Sequence, residues 1–188
     1  MMTLPLRAFH LAPFAAVGAA VLLGACATNQ PAVPPSVAIP ANLAAPAGEV
    51  LQRTLDASGV QIYECRAKAG DAGAAEWVFI APEAQLFDAD GLPVGKHYAG
   101  PTWESNDGSK VVGAVKAKAD APDAGAIPWL LLATHSTGGS GAFANVTSVQ
   151  RVATSGGVAP SAGCSTATIG QQARVPYKAQ YTQYAKKG

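Results

Sequence analysis

The stretch "GVQIYECRA", residues 59–67, sets Val60, Ile62 and Glu64 on one side and Gln61, Tyr63 and Cys65 on the other. Side chains of an extended chain alternate between two faces. A period of two, rich in β-branched and aromatic residues, therefore reads as a strand. The pattern recurs in "KVVGAVKAK" (110–118), "FANVTSVQRVAT" (143–154) and "RVPYKAQYTQY" (174–184). In the last of these, Val175, Tyr177, Ala179 and Tyr181 share a face. Tyr177, Tyr181 and Tyr184 also fit helical spacing, but Pro176 and the alternation favour a strand.

"EWVFIAP" (76–82) and "AQLFD" (84–88) are short apolar runs split at Pro82, and "IPWLLLAT" (127–134) reads as a central buried strand. Asp90-Gly91 and "NDGS" (106–109) mark turns. "GEVLQRTLDA" (48–57) fits a short helix, and no segment carries a long capped helical period. The expectation is a single all-β domain: an antiparallel β-sandwich or partly open β-barrel of about nine short strands with little helix.

Composition agrees with one modest core. Of 188 residues 49% are apolar, with Ala and Gly prominent, and 7% are aromatic. Charged residues are 13%, about half the usual share, which suggests a place outside the cytosol. Arg7 is the only charge in residues 1–25, followed by the uncharged run "LAPFAAVGAAVLLGA" (11–25). That is the order of a secretory signal. A membrane span needs about 20 apolar residues, and Pro13 shortens this one.

Leu23, Gly24, Ala25 and Cys26 resemble the lipobox of bacterial lipoproteins, in which the cysteine is acylated and becomes the first mature residue. Each buried CH₂ of an acyl chain contributes about 0.8 kcal/mol, so several chains anchor a protein. Ordinary cleavage after Ala25 is the alternative, and it leaves an exposed free thiol. Ala27, standing where the inner-membrane retention signal has Asp, points by the same resemblance to the outer membrane, facing the periplasm. Residues 1–25 thus read as signal, 26–39 as a Pro/Ala-rich tether, and 40–186 as the all-β domain. The tether residues ahead of Val37 number about ten and reach about 30 Å as polyproline II.

With Cys26 acylated, Cys65 and Cys164 remain, and an even pair in an oxidising space reads as a disulfide. Two reduced core cysteines or metal ligands are the alternatives, but neither has a zinc-like Cys or His neighbour. Removing residues 1–25 takes away Arg7 alone and leaves 12 basic against 12 acidic residues. A neutral surface argues against nucleic acid as a partner. Arg174, Lys178, Lys186 and Lys187 read as a solvated basic end.

The segments "GVQIYEC", "WVFIAPEAQLFDADGLPVGKHYAGPTWESNDGSKVVG", "IPWLLL", "GAFANVTSVQRVATSGGVAP" and "VPYKAQY" together resemble a family of secreted bacterial and fungal proteins. It is known as a domain of unknown function, number three-four-five-five. The resemblance covers about Pro40 to Tyr184 and implies a shared fold, without an established activity.

Chemistry concentrates in "GKHYAGPTWESNDGSK" (95–110), which holds His97, Tyr98, Trp103, Glu104, Asp107 and Lys110. Pairing of the flanking strands would bring several of these to one rim. There Trp103 suits stacking on a glycan or other small ligand. Glu104 and Asp107 suit a glycosidase-like acid and base. The plain alternative is a core Trp103, an Asp107-Gly108 turn and a solvated Glu104. His97 and His135 stand 38 positions apart, so no metal site is assigned. "DADG" (88–91) lacks the terminal Glu of a calcium loop, since its twelfth position is Ala99. The glycines around Ser140 read as a loop, not a nucleophile elbow.

No catalytic residue and no cofactor is assigned. The functional expectation is a lipid-anchored envelope protein that binds a glycan or small ligand or is structural, its protein partner open. The alternative is a small hydrolase or lyase on envelope polymers using Glu104, Asp107 and His97. Cys26→Ser should move the protein from the membrane fraction to the soluble fraction; retention in membranes would contradict acylation.

Overall fold

The computed structural model describes residues 38–188; the signal, Cys26 and all of the tether but its last two residues lie outside the described residues. Eight strands follow in chain order: β1 (Glu49–Ala67), β2 (Ala75–Phe87), β3 (Pro93–Tyr98), β4 (Thr102–Ser105), β5 (Lys110–Ala119), β6 (Trp129–Gly138), β7 (Ser148–Gly156) and β8 (Gln172–Lys186). Each is hydrogen-bonded antiparallel to the next, and β8 returns to β1, with Leu55 opposite Tyr181.

The all-β antiparallel reading stands. The sheet is a barrel, closed and not partly open, with eight strands where about nine short ones were expected. The difference lies in strand length. β1 runs 19 residues, and "GEVLQRTLDA" forms its first half as strand and not helix. Its Arg53, Leu55 and Ala57 keep the inward period that continues through Gln61, Tyr63 and Cys65.

β2 passes through Pro82, which does not break it. There β2 pairs only with β1, since β3 joins it from Ala84 onward. A proline's missing N–H costs nothing on an unpaired side. Close strand approach needs a glycine at position 59, where a Cβ would lie 2.1 Å from the Glu83 carbonyl oxygen.

Inside, Leu55, Leu86, Trp103, Val111, Leu132 and Tyr181 form the main core. "IPWLLLAT" is apolar on both faces for a reason the barrel supplies. Leu132 points in, while Trp129 and Leu131 point out under Leu43, which is fully buried in a one-turn helix, Ala41–Leu43. Burying such a leucine contributes about 1.5–3 kcal/mol.

The two barrel ends differ. At one, the loop between β6 and β7 turns inward and drives Phe143, 1% exposed, into the core. Arg53 lies over that ring at 5.3 Å, so this end is plugged. At the other end Val115 is 56% exposed on the inward-facing side of β5, and the barrel opens.

Cys65 and Cys164 form a disulfide, with Cα atoms 5.3 Å apart and 99 positions of sequence between them. It fastens the loop between β7 and β8 to β1 at the open end. Trp77 Nε1 donates to the Ala162 carbonyl at 3.0 Å and holds the same loop. Closing so long a loop restricts the unfolded chain by an amount usually near 2–4 kcal/mol. Paired Cys65→Ser and Cys164→Ser substitution should lower stability by about that much in urea unfolding, and an unchanged midpoint would contradict it.

Candidate functional site

Strand alternation divides the six residues of the 97–110 cluster among three places. β3 and β5 do not pair; the short β4 lies between them, with Trp103 opposite His97 and Glu104 between Lys96 and Lys110. The single rim expected from sequence is therefore not formed.

Tyr98, Glu104 and Lys110 meet on the outer wall. Glu104 lies 3.5 Å from Lys96 Nζ and 3.8 Å from Lys110 Nζ, and accepts the Tyr98 hydroxyl at 2.5 Å. The Tyr98 hydrogen bond, aided by the lysines, holds the Glu104 carboxyl below its ordinary range. The same bond pushes the Tyr98 hydroxyl up. This is a solvated cross-strand ladder.

Asp107 is a latch at the plugged end. Its Oδ1 accepts the Ser109 N–H at 2.9 Å and the Ser109 hydroxyl at 2.5 Å. Its Oδ2 accepts the Ala142 N–H at 2.7 Å, and Ser109 Oγ accepts the N–H of Phe143 at 2.9 Å. The Ala142 bond first, then those of Ser109, hold the carboxyl well below the usual range. A Cβ on Gly141 would sit 2.4 Å from this carboxylate, so only glycine lets the loop close on it. Glu104 outside, Asp107 at the plug and His97 within cannot act as one catalytic set.

His97 and Trp103 point into the barrel, 3% and 1% exposed. Trp103 is thus no exposed stacking platform. Its ring stacks on His97 with centroids 4.3 Å apart, and Tyr181 packs 4.9 Å from His97 and 5.4 Å from Trp103. His97 Nδ1 lies 2.8 Å from the Thr102 carbonyl oxygen. A carbonyl only accepts, so Nδ1 carries the proton and Nε2 keeps its lone pair. Burial pushes the imidazole down to about 3, so it is neutral near pH 7. His135 is exposed on β6, and among the described residues no three His, Cys, Asp or Glu side chains gather as a metal site would need.

His97, Trp103 and Tyr181 form part of the wall of a cavity of about 390 Å³ at the open end. Apolar side chains such as Phe79, Ile127, Leu130 and Leu132 supply most of the remaining wall. Its polar members, Gln61, Tyr63 and Arg151, were not among the sequence candidates. Tyr63 Oη donates to the Gly157 carbonyl at 2.6 Å. The amide nitrogen of Gln61, 2% exposed, and the indole nitrogen of Trp103 have no protein acceptor. Arg151, opposite Tyr181 on β8, donates from Nε and Nη2 to the Pro128 carbonyl at 3.1 and 2.8 Å. Burial pushes the Tyr181 hydroxyl up, with the Arg151 charge acting the other way.

Fold and cavity define a class: a closed eight-stranded antiparallel barrel, plugged at one end and hollow at the other. Eight strands enclose a space that side chains just fill or that holds one small ligand. The chain belongs to the family described as Protein of unknown function (DUF3455), matched over residues 46–185. Neither a curated protein nor a solved structure matches it.

Two pH-linked outcomes follow. The unfolded chain binds a proton on His97 near pH 6.5, whereas the folded chain does so only near 3. Stability should therefore fall as pH drops from about 6.5 towards 3, with a slope approaching 1.4 kcal/mol per unit. His97→Gln should flatten that slope above pH 4.5 in urea titrations, and an unchanged slope would contradict burial of a neutral imidazole. The low Asp107 carboxyl acts below about pH 4, so its latch is intact at pH 7. Asp107→Ala should lower Tm by several degrees there, and no change would contradict the latch.

Proposed function

We propose that this protein is a lipid-anchored binding protein of the bacterial envelope, held through Cys26 at the periplasmic face of the outer membrane. In this reading its barrel takes up one small, mostly apolar molecule. The observation that carries it is a cavity of about 390 Å³ at the open end, walled mostly by apolar side chains, with the Arg151 side chain in its lining.

Cavities of this size with few convergent polar groups are the usual form of small-ligand sites. The anchor and tether suit the same role, keeping the open barrel close to the membrane and in the periplasm.

The test is tryptophan fluorescence quenching and thermal shift across a panel of small aromatic, short aliphatic and glycan compounds. Aromatic or aliphatic members should quench the emission and raise Tm. Val115→Asp, which puts a charge on the exposed apolar wall of the cavity, should weaken their binding about tenfold. A panel with no response in the wild-type protein would contradict the reading.

A further inference from the structure

Among the described residues Arg151 is the one charged side chain lining the cavity, and no Asp or Glu lines it. It has no carboxylate within salt-bridge distance among the described residues: their four ion pairs use Arg66, Lys96, Lys110 and Arg174. Its Nε and Nη2 both turn to a single carbonyl, that of Pro128. A guanidinium has five N–H donors and cannot shed its charge, so much of its capacity is unspent. Withdrawing a charge from water towards an apolar wall is costly unless an opposite charge meets it.

The neighbours bring no negative charge. His97 Nδ1 is already committed to Thr102, so that imidazole presents no proton towards a ligand. Among the described residues the lining is thus neutral apart from Arg151, and the Tyr181 hydroxyl stands beside that guanidinium.

We propose that the cavity selects an organic anion: a small ring or short chain bearing one carboxylate, with the carboxylate on Arg151 and the apolar body against Phe79, Val115 and Leu130. This rests on the binding reading above and narrows it to a ligand class. An arginine meets a carboxylate with two parallel N–H···O bonds. Its hold on Pro128 uses Nε and one Nη2 hydrogen, and the Tyr181 hydroxyl lies against the same guanidinium, so the carboxylate takes the remaining Nη hydrogens. An uncharged ligand of the same shape would leave the guanidinium facing the apolar wall alone.

The experiment compares matched pairs by calorimetric titration of the purified full-length protein: 2-naphthoate against 2-naphthamide, phenylacetate against phenylacetamide, and octanoate against octanamide. At least one acid should bind about tenfold more tightly than its amide. Arg151→Gln should remove that preference, bringing acid and amide affinities within about twofold of each other. If that variant fails to fold, Arg151→Lys takes its place. It keeps the charge but loses the fork, and it should shrink the acid-over-amide preference several-fold. Equal binding of acid and amide throughout would overturn the anion inference and leave the binding reading standing. A preference unchanged in the folded Arg151 variant would overturn it too. Failure of every acid and every amide to bind would overturn the binding reading itself, and this inference with it.

Discussion

The ladder between β1 and β8 is the contact on which the rest of the structure depends. It joins the first strand to the last along most of their length, from Glu49 opposite Lys186 to Glu64 opposite Gln172. Without it the sheet would have two long open edges, each inviting further strands. With it, every inward side chain is committed to one small enclosed volume. Eight strands set that volume at the margin between a filled core and a vessel.

This molecule uses both outcomes at once. Near the β4–β5 turn the interior is filled, because Asp107 and Ser109 pull the glycine-rich loop inward and seat Phe143. Near the β3–β4 turn it is hollow, and at that end the loop between β7 and β8 is tied to β1 by the disulfide. The polar groups inside follow the same division. Gln183, fully buried, and Arg53 lie towards the plug. Gln61, His97, Trp103 and Arg151 line the hollow.

The period-two pattern was enough to read the class, and the pairing of Cys65 with Cys164 followed from parity and compartment. Barrel closure was not legible, because no local pattern records that the last strand meets the first. "GEVLQRTLDA" misled because Leu51, Leu55 and a charge at Arg53 suit a helix as well as a strand; its pairing with β8 decides the matter. Within the site, His97 and Trp103 were found through their density in a short stretch. Tyr98, Glu104, Lys110 and Asp107 were found with them, but alternation sends them to the outer wall and the plug. Arg151 and Gln61 were missed although their signal was present. Each stands on the same face of an alternating run as a residue that must be inside, Val149 for one and Cys65 for the other. A charged or amide side chain in such a position reads as a surface residue until closure shows that the face is interior.

A site built this way needs few conserved-looking chemical motifs. In the proposed binding role, its selectivity lies in the contrast between an apolar wall and the Arg151 guanidinium. The barrel supplies rigidity, the disulfide keeps the mouth in place, and the neutral imidazole of His97 orders the Trp103 ring from behind. The most direct measurement is a two-dimensional nitrogen–proton spectrum of the three indole N–H groups, with and without 2-naphthoate. The account predicts that the Trp103 signal moves and becomes slower to exchange, while that of Trp77, already bonded to Ala162, stays in place. A Trp103 signal unmoved at saturating ligand would contradict the claim that the barrel interior is the binding site.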